Sequence, residues 1–381
     1  MSVRKRVWTT RTGETKEAWI VDYFDQHRQR HIKTFERKKE ADAHLAAVKH
    51  EIGEGIHTAI SKSITVAKAA DDWIAYVEGE GRERSTIEAY RREASQHIVP
   101  RLGQVKLAQL TSPRVNAFRD DLLKSMSRAM AKKVLFSLKA ILKDAKRRGN
   151  VAQNVASDVS ISTQGRLKLK LEVGRDIPTR EEVRRMIDAA PPGRARALLL
   201  TAALTGMRAS ELRGLRWSDV DFGKQLIHVR QRADRYHKIG NPKSSAGRRD
   251  IPIEDMVVNT LRKWKLQCPK GEQNLVFPTG VGTVESLPNI WARILEPAQI
   301  AAGIMTKGKA AKYGMHSLRH FYASWCINRK ADGGLELPPK TVQTRLGHSS
   351  IVMTFDRYGH LFPTRDDGKE MAAAVRAIFA T

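Results

Sequence analysis

The sequence predicts a mainly α-helical, multidomain chain with small β-sheets, and three observations carry that expectation. Its 381 residues are enough for two or three domains with cores of their own. Strand-like alternation of β-branched and aromatic residues is confined to the first 35 residues and to a short stretch between 225 and 253. Almost everywhere else apolar residues recur at the helical period. The expected layout is an N-terminal three-stranded sheet plus one helix, then a helical bundle. The largest unit, α-rich with a small antiparallel sheet, completes the chain.

Taken in order, Arg6–Thr10, Ala18–Phe24 and Arg30–Phe35 read as strands separated by turns at Thr12-Gly13-Glu14 and Asp25-Gln26-His27. Lys38–Glu54 has Ala41, Leu45 and Val48 on one face and reads as a helix. Residues 1–55 therefore form the first domain, and the polar stretch Ile56–Ser63 is a linker. Residues 64–149 are read as four amphipathic helices. They are Thr65–Gly79, then Ser85–Ile98 with a capping box at Ser85 and Glu88 and an end before Pro100. Ser112–Lys124, with Pro113 in its first turn, and Arg128–Arg148 follow. Residues 150–172 break the pattern and read as a basic interdomain linker. In the last unit, 173–381, helices are expected at Thr179–Ala190, Arg194–Leu204, Ala209–Leu215, Asp255–Trp264, Leu287–Ala302, His316–Asn328, Pro339–Leu346 and Met371–Ile378. Strands are expected at Gln225–Arg230 and Arg248–Ile253.

The formal net charge is +27. The positive excess is 4 over residues 1–63, 9 over 64–172 and 14 over 173–381. A surplus spread over every domain, rather than held in a tail, points to a long polyanion, most simply DNA or RNA. Arg91, Arg92, Lys132, Lys133, Lys139 and Lys143 lie between apolar positions of the bundle helices, and Lys168 and Lys170 lie in the linker. They are the candidate phosphate contacts, against the plainer reading of a solvated helix face. The first sheet, with basic residues alternating with aromatics, is a candidate groove binder or else a structural cap on the bundle. No run of about twenty apolar residues is present, and no apolar run follows the basic N-terminus, so neither a membrane span nor a signal peptide is expected. Cys268 and Cys326 are expected to be reduced and buried, in a cytoplasmic protein.

Chemistry concentrates in two places. Arg208 follows an apolar helix and Gly206, so its backbone is fixed by the core and its guanidinium can grip two phosphate oxygens. Glu211, on the same helical face, can orient it. Lys243, in the loop between the two expected strands, can serve as a proton donor or point charge, with Lys238 competing for the role. About a hundred residues on, His316 and Arg319 lie one helical turn apart. His348 follows a helix end at Gly347, and Tyr358 can attack phosphorus if a cationic cluster eases its deprotonation. His320 falls on a different side of its helix and reads as a core or supporting histidine. The histidines have no carboxylate or cysteine at metal-ligand spacing, so no metal is expected.

The ordered set Arg208…Glu211, Lys243, His316-x-x-Arg319, Leu346-Gly347-His348 and Tyr358 resembles the catalytic signature of the tyrosine recombinases, in their phage-integrase branch. Residues 64–149 resemble that family's core-type DNA-binding domain and the first fifty-odd residues its arm-site domain. The resemblance implies a C-shaped clamp on double-stranded DNA at specific attachment sites, assembled as a tetramer on two of them. It implies that Arg208 and Arg319, helped by His348, hold the scissile phosphate while Tyr358 attacks. The product is a 3′-phosphotyrosine and a free 5′-hydroxyl. Lys243 protonates the leaving oxygen, His316 assists proton transfer at the tyrosine, and a Holliday junction follows. No ATP, metal or other cofactor is required. A mobile element would be integrated and excised in a bacterial cell, at the nucleoid. A host DNA-bending protein and an excision factor are the candidate accessory partners. A C-terminal helix, Lys369–Ala380, packs either in cis or on a neighbouring subunit. Two other readings stay open: a type IB topoisomerase-like strand transferase, and a non-catalytic sequence-specific DNA-binding protein.

Overall fold

The computed structural model describes residues 1–11, 13–25, 28–53, 63–162, 170–362, 372 and 375–379. The chain divides into two compact units, Met1–Arg166 and Leu167–Thr381. Lys168, all of the expected linker Ile56–Ser63 but Ser63, and half of the expected C-terminal helix Lys369–Ala380 lie outside the described residues.

The first unit opens with an antiparallel sheet of β1 (Ser2–Thr9), β2 (Thr15–Phe24) and β3 (Arg30–Phe35), in sequence order. Val21 and Tyr23 of β2 pack on Ala41 and Val48 of helix α1 (Lys38–Gly53), which gives this small sheet the apolar partner it needs. Five helices follow: α2 (Val66–Gly79), α3 (Arg84–Glu93), a single turn α4 (Val99–Leu102), α5 (Ser112–Ser125) and α6 (Arg128–Arg147), the longest. Trp73, Ile98, Val115, Leu122, Leu138 and Ile141 fill their shared core.

Three expectations change here. The capping box at Ser85 and Glu88 does not form, because α3 begins one residue earlier with Glu83 as its N-cap. Nor does Pro100 end the segment. A π-helical turn, Ala94–Ile98, leads straight into α4, where the proline occupies the first turn and its missing N–H costs nothing. The stretch read as a linker is packed at its start: Ala156, Val159 and Ile161 are buried in the bundle core.

The second unit is built on α7 (Arg180–Ala189), α8 (Arg194–Thr205) and α9 (Ala209–Gly214), then strands β4 (Val220–Asp221) and β5 (Leu226–Val229). The short strands β6 (Arg232–Ala233) and β7 (Ile239–Gly240) pair with each other, and β8 (Arg249–Pro252) returns to pair antiparallel with β5. Helices α10 (Asp255–Lys265), α11 (Leu287–Ile290), α12 (Glu296–Ala301), α13 (Met315–Ile327), α14 (Pro339–Leu346) and α15 (Ile351–Tyr358) complete it. The expected capping box of α7 is present: Glu182 N donates to Thr179 Oγ1 at 3.1 Å and Thr179 N to a Glu182 carboxylate oxygen at 2.8 Å. A π-helical turn, Trp291–Leu295, joins α11 to α12. Lys238 lies at the base of the β6–β7 hairpin loop, just before β7, whereas Lys243 lies in the loop between β7 and β8.

Helix α13 is the spine of this unit. It packs on α8 and α14, and ten of its residues are buried, Leu318, Phe321, Tyr322 and Ile327 among them. That burial is what fixes Arg319 in place. Cys326 is buried and Cys268 only half-buried, and both are free thiols.

Candidate active site

Helix α8 ends at Gly206 in the left-handed conformation, φ +59°, where a non-glycine residue would be strained. A Cβ there would also lie 2.3 Å from Tyr322 Cδ1 of α13, so the glycine lets the two helices approach. Arg208 follows as the N-cap of α9. Its Nη1 donates to Glu211 Oε1 at 2.8 Å and its Nη2 to Gly347 O at 3.1 Å. Glu211 is 2% exposed and is also gripped by Arg249 of β8. Burial pushes the Glu211 carboxyl up, but Arg249 and Arg208 outweigh it and hold the group below the ordinary carboxylate range.

Arg319 is 2% exposed. Its Nη1 donates to Gly206 O at 2.7 Å and its Nη2 to Leu346 O. Two backbone carbonyls, from the ends of α8 and α14, thus aim the guanidinium. Burial and then Arg208 push its pKa down to about 9, which leaves it charged at neutral pH. The end of α14 is shaped by Gly347, whose φ of +64° closes the helix with a left-handed residue. His348 follows. Its Nδ1 meets Thr354 Oγ1 at 2.9 Å, and its ring stacks on Tyr358 with centroids 6.2 Å apart and planes 7° apart.

Arg208, His316, Arg319, His348 and Tyr358 converge on one cavity of about 410 Å³, which His320, Met353, Asp356 and Arg357 also line. Glu211 supports it from behind. Lys243 is exposed on its loop and is not among the lining residues.

The nucleophile candidate is 1% exposed. The Tyr358 hydroxyl lies 2.7 Å from His320 Nδ1. Two expectations are corrected at this point. The histidine against the tyrosine is His320, not His316, because α15 packs on α14 and its last residue, Tyr358, ends against His320. His316 instead meets the edge of His320, with ring centroids 4.5 Å apart. The cationic surroundings also do not ease deprotonation of the free tyrosine: burial outweighs Arg319, Arg357 and Arg208 and pushes its pKa up to about 12.

All three histidines are neutral at pH 7. Burial, then His316 and Arg357, push His320 down to about 3. Burial, then Arg319 and Arg208, push His348 down to about 4. His316 is exposed, yet partial burial of its ring, and then the charges of Arg319, Arg357 and Arg208, push it down to about 4. A pocket that gathers two aimed guanidiniums and a third at Arg357, against the single carboxylate of Asp356 on its wall, is shaped for an anion whose charge is shared over several oxygens.

Sequence reading missed Arg249 and Arg357. Arg357 precedes the tyrosine, and its neighbours Asp356 and Tyr358 gave no spacing signal. Among the candidate phosphate contacts, Lys132 and Lys133 are exposed and line a groove with Tyr90, Arg128 and Phe136. Arg92, Lys143 and Lys170 are also exposed. Arg91 is paired with Glu78, and Lys139 Nζ donates to Ser157 O at 2.8 Å, so these two are partly engaged in holding the fold.

Comparison with known proteins bears on the family of the chain. Residues 178–365 match the model of the phage integrase family. A tyrosine recombinase XerC-like protein of Caldanaerobacter subterraneus subsp. tengcongensis is 25% identical over 352 residues, covering 86% of each chain. The structure of the Tn1549 transposon integrase in complex with a circular intermediate DNA superposes with a TM-score of 0.63 at 18% identity, over 83% of this chain and 100% of that one. A lambda integrase tetramer bound to a Holliday junction gives 0.57 at 18% identity, over 90% of this chain and 95% of that one. The matched domain spans the whole cavity, and this domain belongs to the phage integrase family of tyrosine recombinases.

Proposed function

We propose that this chain is a site-specific DNA recombinase, an integrase of a mobile element, that cuts and rejoins duplex DNA through a 3′-phosphotyrosine. The observation that carries the proposal is the convergence of Arg208, Arg319, His348 and Tyr358 on one cavity. In the reaction, Arg208, Arg319 and His348 bind the non-bridging oxygens of the scissile phosphodiester and stabilise the charge of the pentacovalent transition state. Tyr358 Oη attacks phosphorus, the bond from phosphorus to the 5′-oxygen breaks, and Lys243 gives that oxygen a proton. The phenolic proton passes to Nδ1 of His320, with His316 at the far edge of that ring to relay it. The phosphodiester energy is kept in the tyrosyl ester, so a partner strand's 5′-hydroxyl can reverse the chemistry without ATP. Lys243 lies outside the residues that line the cavity, so the tip of its loop closes on the phosphate when DNA is bound while the two ends of the loop stay tied.

Support for DNA as substrate comes from the spread of positive charge, from exposed Lys132 and Lys133, and from relatives solved on DNA. Assembly as a tetramer on two sites is supported by the lambda integrase tetramer on a Holliday junction. The three-stranded sheet with α1 is assigned to arm-type sites and α2 to α6 to core-type sites. The deciding experiment supplies two duplexes carrying the attachment sequences that flank the integrated element. Joined recombinant products are expected. Relaxation of supercoiled DNA without strand exchange would favour the type IB topoisomerase chemistry instead.

A further inference from the structure

We infer that Arg249 is a positioning residue for the proton donor: it fixes the loop that carries Lys243 to the phosphate-binding side of the pocket. The inference rests on the reading of Lys243 as the group that protonates the leaving oxygen.

The side chain of Arg249 is 1% exposed and stands at the start of β8, directly after the Lys243 loop. Its guanidinium donates in three directions. Nη2 reaches Glu211 Oε2 at 2.9 Å and Nη1 lies 3.3 Å from Glu211 Oε1, and this is the same carboxylate that holds Arg208. Nε donates to Arg345 O at 2.7 Å, in the last turn of α14, just before Leu346 and Gly347. Nη1 also donates to Gly247 O at 3.0 Å, in the short helical turn that closes the loop. The loop's other end is held by Arg232 Nε on Asn241 O at 3.2 Å and by Arg248 Nη2 on Asn241 Oδ1 at 2.9 Å. Within it, Gly247 N donates to Ser244 O at 2.9 Å. Lys243 is thus carried on a short arc with both ends tied, and the tie at the catalytic end is Arg249.

The three acceptors serve three parts of the proposed machinery. Glu211 orients Arg208, the end of α14 supplies the carbonyls that aim Arg208 and Arg319, and Gly247 closes the loop of Lys243. No other side chain could make this junction. Lysine has no planar fork, and a neutral residue would leave the Glu211 carboxylate buried with one cation fewer. The chemistry needs the link because a donor on an exposed loop has to meet a leaving oxygen to within fractions of an ångström, and a misplacement of about 1 Å can cost roughly a hundredfold in rate.

The test compares leaving groups. Nicked suicide duplexes are made with either the natural 5′-oxygen or a 5′-bridging sulfur at the scissile position. Sulfur leaves without a proton, so Lys243→Ala cleaves the oxygen substrate slowly and the sulfur substrate at nearly the wild-type rate. Arg249→Lys and Arg249→Gln are expected to lose about tenfold to a hundredfold on oxygen, to bind DNA within about twofold of wild type, and to regain most of the loss on sulfur. An equal loss on oxygen and sulfur would overturn the inference by assigning Arg249 to Arg208 and Arg319 instead. Loss of cooperative melting together with DNA binding in both variants would overturn it by assigning Arg249 to the fold alone. If the wild type makes no covalent adduct, or Lys243→Ala is not rescued by sulfur, the underlying reading of the site fails instead.

Discussion

The hydroxyl of Tyr358 lies 2.7 Å from Nδ1 of His320, and the two groups titrate far apart. The phenol is pushed up to about 12 and the imidazole down to about 3. At neutral pH the tyrosine therefore holds its proton beside a neutral ring, and the tautomer of His320 with its hydrogen on Nε2 presents Nδ1 as the acceptor. His320→Gln, which replaces the basic ring nitrogen with an amide that cannot take up a proton, is expected to slow single-turnover cleavage by about 10²-fold, within the range of positioned general bases, while leaving DNA affinity unchanged. A larger loss in His316→Gln than in His320→Gln would return the nucleophile's proton to His316.

The buried pair of Glu211 and Arg249 should be the most sensitive point of the second unit. Both side chains are almost fully enclosed, and removing one leaves the other's charge without its partner. Glu211→Ala is expected to cost about 3–5 kcal/mol of stability in denaturant titration of the full chain. A loss below about 1 kcal/mol would mean that water reaches the pair.

Gly206→Ala joins backbone strain to overpacking. The residue sits at φ +59°, and its new methyl would meet the ring of Tyr322. A destabilisation of about 1–3 kcal/mol is expected from overpacking. Because Gly206 O holds Arg319, cleavage should fall by more than the loss of folded protein explains. The comparison is cleavage rate per folded molecule, and an unchanged rate would uncouple that carbonyl from the arginine.

The histidines fix a pH dependence. His316, His320 and His348 all have folded pKa values depressed to about 4, 3 and 4, against about 6.5 in an unfolded chain. Between these limits the unfolded state binds protons that the folded state does not, so stability falls as pH drops from about 6.5 toward 4. The melting temperature should decline on acidification through that window, and less steeply in a His320→Asn His348→Asn variant. A melting temperature flat from pH 7 to 5 in the wild type would show that these rings titrate normally.

Much of the site was legible because its parts are local. Arg319 follows from its one-turn spacing to His316, Glu211 from its three-residue spacing to Arg208, and His348 from the glycine that ends α14. What escaped depended on contacts between distant segments. His320 read as a core or supporting histidine on another side of α13, and only the tertiary placement of α15 gives it Tyr358. Arg249 stands between Arg248 and Asp250, and its partner Glu211 lies 38 residues earlier. The burial that raises Tyr358 is likewise a tertiary effect, which overrode an expectation based on charge alone. In the first unit, the π-helical turn before Pro100 let a helix continue where the proline rule ends it.

The central claim is that Tyr358 becomes covalently joined to DNA. The direct measurement is incubation with a nicked suicide duplex carrying the core site, followed by denaturing electrophoresis and peptide mapping of the adduct. The wild type is expected to give a complex that survives denaturation, with the DNA on the peptide containing Tyr358, and Tyr358→Phe is expected to bind the duplex and give none. A covalent adduct in Tyr358→Phe, or one mapped to another residue, would contradict the account.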